Sequence, residues 1–187
     1  MGLNPAARRA DALTARTRHG TEGEKRTAAL LAPLEAAGWH IWHDRALPRS
    51  RANLDHVLAF PDGKQLVVVD SKKWDYRLET KLVRGRVHCG KQDRHEEVEK
   101  VVGYAERVAK AVGLPVDRVD PLLVIHGSRI PAGSLTVRMP DGRAVHVLPA
   151  GWLMSTLTAA ARKSPPDPEA AAALAARVDR ILPRYVE

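Results

Sequence analysis

The chain has 187 residues, 44% of them hydrophobic, with a net charge of +8 and a sequence isoelectric point near 10.0. That length suits one domain, and the apolar content is enough for a core, which excludes wholesale disorder. Apolar runs such as Leu66–Val69 and Leu122–Ile125 are far too short to span a bilayer.

The basic balance points to a polyanionic partner. Cys89 is the single cysteine, so no intramolecular disulfide forms and a reducing cytoplasm is the simplest compartment. The first twenty residues have no apolar stretch and do not read as a signal peptide. Ala6 stands where a myristoylation site requires Ser or Thr. Three regions are expected: a basic arm over 1–19, an α/β domain over 20–163, and a C-terminal helix over 164–187 packed on the same domain.

In chain order, Arg8, Arg9, Arg16 and Arg18 make the arm basic. A helix is predicted from Thr21 to Ala37, opened by a Thr21/Glu24 capping box, interrupted by Pro33 and stopped by Gly38. Glu24, Ala28 and Leu31 share one helical face, and Leu31 marks it as the buried one. That aims the Glu24 carboxylate toward the core side, an unusual place for a charge.

Trp39–His43 reads as a short strand, followed by a loop through Pro48, Arg49 and Arg51. Leu54–Phe60 and Gln65–Lys72 read as strands joined by the Pro61-Asp62-Gly63-Lys64 turn. Leu66–Val69 is apolar on both faces, so the second of these should be central and covered on both sides. Residues 72–91 are polar, with a local net charge of +5. A helix is expected over Asp93–Val112, its apolar stripe running from Val98 through Val101, Val102, Ala105, Val108 and Ala109 to Val112. Gly113 and Pro115 end it. Then come a strand at Leu122–His126, a hairpin of Leu135–Met139 and Ala144–Leu148, and a helix at Gly151–Ala161. A last helix opens with Asp167 as cap and Pro168 at its first position.

The chemistry concentrates at the first hairpin. A two-residue loop at Asp62-Gly63 pairs Asp55 directly with Asp70, with Cβ atoms about 4.5–5.5 Å apart. Lys72 lies two residues on and points to the same face. Facing carboxylates repel one another in a strand pair, and a hard divalent cation resolves that repulsion. A neighbouring lysine can orient an attacking water and offset charge developing on a phosphate. A shift of one residue in the loop would turn the two aspartates to opposite sides.

These residues resemble the nuclease-related domain family of the PD-(D/E)xK nuclease superfamily. The resemblance is carried by Gly20-Thr21-Glu22-Gly23-Glu24, by Leu54-Asp55-His56-Val57, and by Val68-Val69-Asp70-Ser71-Lys72-Lys73-Trp74. It covers about residues 20–126 and implies a restriction-endonuclease-like α/β core: a central mixed sheet in α-β-β-β-α-β order, flanked by helices, with extra C-terminal helices. It further implies that Asp55, Asp70 and the Ser71 carbonyl bind Mg2+ or Mn2+, that Lys72 is the catalytic lysine, and that Glu24 completes the site. Many members carry Glu at the position of Asp70. Members also tend to have a glutamine early in the following helix, for which Gln92 is the candidate.

Other signals are weaker. Gly85–Gln92 is one residue short of a phosphate-binding loop, with Gln92 where a hydroxyl is needed. His40 and His43 are oddly spaced for a strand, which turns them to opposite faces and disfavours zinc. His56 reads as a hydrogen-bonded structural histidine and Trp74 as a packing residue. The expected function is therefore metal-dependent phosphodiester hydrolysis, most readily of DNA. Lys73, Arg77, Lys81, Arg84, Arg86 and Lys91 would contact the nucleic-acid backbone. The alternative is a non-catalytic nucleic-acid-binding module on the same fold. No membrane partner is expected, and a homodimer is compatible with the sequence.

Overall fold

The computed structural model describes residues 22–186. The basic arm and the Thr21 capping box lie outside the described residues. Helix α1 spans 22–31, built from good helix formers such as Glu, Lys, Ala and Leu. Pro33 ends its regular part: Ala32–Ala37 tightens into 3-10 geometry and closes on Gly38, whose φ is +85°. The most buried positions of α1 are Gly23, Thr27 and Leu31, so Glu24 sits on the margin of the inner face rather than at its centre.

A six-stranded sheet organises the chain. Its strands are β1 (His40–Ala46), β2 (Asn53–Ala59), β3 (Leu66–Lys73), β7 (Val119–His126), β8 (Leu135–Arg138) and β9 (Ala144–Pro149), in the order β1-β2-β3-β7-β9-β8. The first three strands are antiparallel, β3-β7-β9 run parallel, and β8 returns antiparallel. β3 is central, with Leu66–Val69 fully buried, as an apolar run covered on both faces requires. On one face pack helix α2 (His95–Val112) and helix α4 (Pro168–Ile181), around Val57, Val68, Leu123 and Ile125. On the other, α1 and helix α3 (Leu153–Ala161) cover Leu58, Val67, Val69 and Val124. Every residue of the expected α2 stripe is buried. Asp167 caps α4 through Ala170 N–H.

One region departs from the sequence reading. Residues 80–93 form a second, three-stranded sheet: β4 (Thr80–Val83), β5 (Arg86–Cys89) and β6 (Gln92–Asp93). Arg84 and Gly85 both have positive φ, +51° and +78°, the signature of a two-residue type I′ hairpin turn. The strands have only four, four and two residues, too few for a hydrophobic period to announce them. Gly85–Gln92 thus runs through a hairpin and not from a strand into a helix, and α2 starts only at His95. A phosphate-binding loop has no helix N-terminus there to cradle the anion. The inserted sheet falls between β3 and α2 and leaves the α-β-β-β-α-β order of the larger core intact.

The β2–β3 connection is the four-residue turn of the expected strand bounds and not the two-residue loop assumed for the register. Phe60 N–H bonds to Gln65 C=O, so the loop is four residues, Pro61–Lys64. It remains centred on Asp62-Gly63, and the register is the one a two-residue loop would give: His56 pairs Val69 and Ala59 pairs Leu66. The loop is pinned by α4. Asp167 N–H bonds to Pro61 C=O, and a Cβ on Gly63, whose φ is +67°, would lie 2.3 Å from the Ala170 carbonyl carbon. Gly63→Ala should therefore cost about 2–4 kcal/mol, from left-handed strain plus overpacking. Urea denaturation should show a lower midpoint at unchanged m.

Candidate active site

Beyond the last ladder pair of β2 and β3, His56 with Val69, the same register places Asp55 opposite Asp70. The two strands have begun to part here. Ser71 N–H donates to Asp55 Oδ2 at 2.8 Å, so the Asp55 side chain occupies the space a backbone carbonyl would fill. A strand residue's N–H and C=O leave the same edge, so the Ser71 carbonyl is directed to the same side as Asp55. Asp70 is 2% exposed. Lys72 Nζ forms an ion pair with Asp70 Oδ2, yet that buried oxygen accepts no well-oriented hydrogen bond.

Helix α2 adds two residues that sequence reasoning missed. Glu97 Oε2 lies 3.5 Å from Lys72 Nζ, and Lys100 Nζ lies 4.0 Å from Asp70 Oδ1. They are three residues apart on one edge of the helix, and Lys100 also stands 5.5 Å from the Tyr104 ring centre. The available signal was that Glu97 precedes Val101 by one turn, which sets it on the border of the apolar stripe. Gln92, by contrast, is in β6 and exposed. Its Oε1 accepts from Arg94 Nη2 at 2.5 Å, and no hydrogen bond links it to the aspartates. Its placement on the helix is corrected because the inserted sheet consumes the residues before His95.

The electrostatics follow from burial. Desolvation, reinforced by Asp70, pushes the Asp55 carboxyl up to about 8, against the pull of Lys72 and the Ser71 N–H. Burial alone would lower the Lys72 ammonium; Asp70, Asp55 and Glu97 outweigh it and hold it above the usual lysine value. Glu24 makes no hydrogen bond or ion pair with this group. Its carboxyl is raised, first by burial and then by Asp44, with Lys72 opposing and Asp70 adding. It stands within the field of the site but outside direct contact.

On the opposite face of β3, Ser71 Oγ donates to Thr27 Oγ1 at 2.9 Å, and Thr27 Oγ1 is 2.8 Å from His126 Nε2. This buried relay fastens α1 to β3. His43 and His56 face each other across β1 and β2, Nδ1 to Nδ1 at 2.7 Å. Burial, with His43 and His126, lowers His56 to about 3, so it is neutral and structural. His40 and His43 make no shared site. Trp74 is 8% exposed and packs in the core. Of the expected backbone contacts, Lys73 pairs with Glu22, Arg77 with Asp75 and Arg86 with Asp93. Lys81, Arg84 and Lys91 are exposed and without carboxylate partners among the described residues.

Among the described residues, no group of three or more His, Cys, Asp or Glu side chains is set to hold a metal ion. Two carboxylates and one backbone carbonyl nevertheless suit Mg2+, which binds through one or two carboxylates and keeps several waters. Asp70 Oδ2 is buried and faces the Lys72 ammonium without a well-oriented hydrogen bond, and a carboxylate oxygen in that state suits a divalent cation.

A central mixed sheet flanked by helices, with two aspartates and a lysine at the parting of two strands, defines a restriction-endonuclease-like fold of the PD-(D/E)xK class. Residues 19–126 match the family model described as nuclease-related domain, and the chain belongs to that family. No curated protein and no solved structure matches it. Among the described residues, no helix is long and apolar enough to cross a membrane.

Because the folded-state pKa of Asp55 is raised, its neutral form is favoured in the fold. Metal-free stability should fall as pH rises from the ordinary carboxylate value toward about 8. Asp55→Asn keeps an acceptor for Ser71 N–H but carries no charge. In EDTA its Tm should exceed wild type at pH 8 by several degrees, about 2–4 °C per kcal/mol, and the gap should close near pH 4. Scanning calorimetry across that range checks the sign.

Proposed function

We propose that this protein is a metal-dependent nuclease hydrolysing phosphodiester bonds, with DNA as the first substrate to test. The observation that carries the reading is the facing pair Asp55 and Asp70, with Lys72 ion-paired to Asp70 on the same face of β3. Family membership supports it.

In this reading Asp55, Asp70 and the Ser71 carbonyl hold Mg2+ or Mn2+, which when bound polarises the phosphodiester and makes water more acidic. Asp55 accepts the Ser71 N–H, and this bond sets its carboxylate beside the strand end. Lys72 keeps its proton, so Nζ serves as a cation and hydrogen-bond donor toward the phosphate oxygens and not as a base. Glu97 restrains Lys72 from α2, and Lys100 places a second positive charge beside Asp70. Glu24, half-buried with a raised pKa, is positioned to accept a proton from water at its carboxylate once it has ionised. Lys81, Arg84 and Lys91 would meet backbone phosphates.

The test uses the full chain with plasmid, linear duplex and single-stranded DNA, in Mg2+, Mn2+ or EDTA. Cleavage should require metal, and Asp70→Asn or Lys72→Met should reduce it on the order of 10²-fold or more. Absence of metal-dependent cleavage, or full activity in Asp70→Asn, would overturn the proposal. Salt-sensitive binding without cleavage would favour the non-catalytic binding module. Alanine at Lys81, Arg84 and Lys91 should flatten the log Kd against log salt slope by about one per cation.

A further inference from the structure

Beyond the residues that match the family, the chain carries a feature the proposed hydrolysis does not use. Of its four tryptophans, Trp39, Trp42 and Trp74 are 3%, 6% and 8% exposed, whereas Trp152 is 50% exposed. Its position is enforced by a glycine. Gly133 has φ of +82°, and a Cβ there would lie 2.5 Å from the indole Cη2, so the ring rests against bare backbone. One side of the indole is thereby braced and the remainder faces solvent. A large apolar side chain kept half in water by a glycine support is costly unless something covers it.

Trp152 borders an open cleft of about 500 Å³ whose walls include Arg26, His126, Ser128 and Arg129. Arg26 and Arg129 each carry a surface carboxylate partner, Glu22 and Glu79 respectively. Such exposed pairs hold little free energy and can exchange for a phosphate. The cleft opens beyond the carboxyl ends of β7 and β9, the side on which open α/β sheets bind ligands. It lies at the same edge of the sheet as the aspartates. Lys72 is in register with Ile125, and Ile125 with Pro149, three residues before Trp152. Two strand spacings, about 10 Å, separate the backbone of Lys72 from that of Pro149.

We infer that Trp152 is a stacking platform for an unpaired nucleobase of the strand bound at Asp55 and Asp70, with Arg26 and Arg129 receiving its phosphates. The inference rests on the nuclease reading and deepens it: the substrate class is nucleic acid with a single-stranded segment or frayed end near the scissile bond. An aromatic face accepts any base, so the site confers a preference for unpaired structure without sequence. Arginine beside the indole suits the same ligand, because it supplies charge where the base supplies a π-face.

The experiment measures binding in EDTA, so that cleavage does not enter. Trp152 is the one tryptophan open to solvent, so the quencher-accessible part of the intrinsic fluorescence reports on it. A short oligothymidylate should quench that part, and Trp152→Phe should remove most of the quenching while retaining most of the affinity. Trp152→Ala should weaken oligothymidylate binding about 5- to 100-fold and blunt duplex binding much less. Circular dichroism of both variants should match wild type. Wild type that binds or cleaves nucleic acid with no quenching, and with equal affinity in Trp152→Ala, would overturn the stacking site alone. A change of oligomeric state in Trp152→Ala, read by sedimentation, would overturn it in favour of a protein contact. Wild type that neither binds nor cleaves any nucleic acid would overturn the nuclease reading and the stacking site with it.

Discussion

Asp55 and Asp70 are brought together by a hairpin register, and much of the molecule compensates for the repulsion this creates. Lys72 neutralises one side, the Ser71 N–H bonds the other, and α2 brings Lys100 beside Asp70, with Glu97 as a second partner of Lys72. The compensation is incomplete: Asp55 holds a raised pKa, and Asp70 Oδ2 lacks a well-oriented donor. A site optimised for metal-free stability would not leave buried carboxylates in this state. The imbalance is the physical sense in which a divalent cation fits.

The surrounding architecture protects that register. α4 docks its first turn on the Pro61–Lys64 loop, and the close approach of Gly63 to Ala170 leaves no room for the loop to slip. On the far face, the Ser71–Thr27–His126 relay ties α1 to β3. Ser71 is thus held from both sides, its backbone by Asp55 and its hydroxyl by α1. The C-terminal helix and the first helix, distant in sequence, both act on the same few residues of β3. A one-residue slip there would carry Asp55 to the opposite face and dissolve the site.

Charge is distributed with similar asymmetry. The basic excess that suggested a polyanionic partner is partly internalised in ion pairs, since Lys73, Arg77 and Arg86 each have a carboxylate neighbour. Of the six cations expected to meet a nucleic-acid backbone, Lys81, Arg84 and Lys91 have no carboxylate partner among the described residues, and they lie on the inserted sheet and its turns. Arg84 adopts a positive φ that disfavours a branched or bulky side chain, and it does so at the exposed turn of the hairpin. The exposed indole of Trp152 lies on a different wall, beyond the sheet's carboxyl edge.

The amino-acid sequence by itself determined the strands β2 and β3, the apolar stripe of α2, the capped start of α4 and the facing of Asp55 with Asp70. These depend on local periodicity and on a turn whose centre is marked by Asp62-Gly63, and the centre sets the register whether the loop has two residues or four. The family motifs were legible for the same reason, being short and contiguous. Tertiary structure alone decided the rest. The sheet over 80–93 is built of strands too short to give a legible period, and overlooking it misplaced Gln92. Glu97 reaches Lys72 and Lys100 reaches Asp70 only because α2 crosses β3 at one angle and not another, which no spacing in the chain encodes. Glu24 was marked by helix phase as a buried charge, yet its standing off from Lys72 depends on where α1 is fastened by Thr27 and His126, a contact spanning 99 residues of sequence.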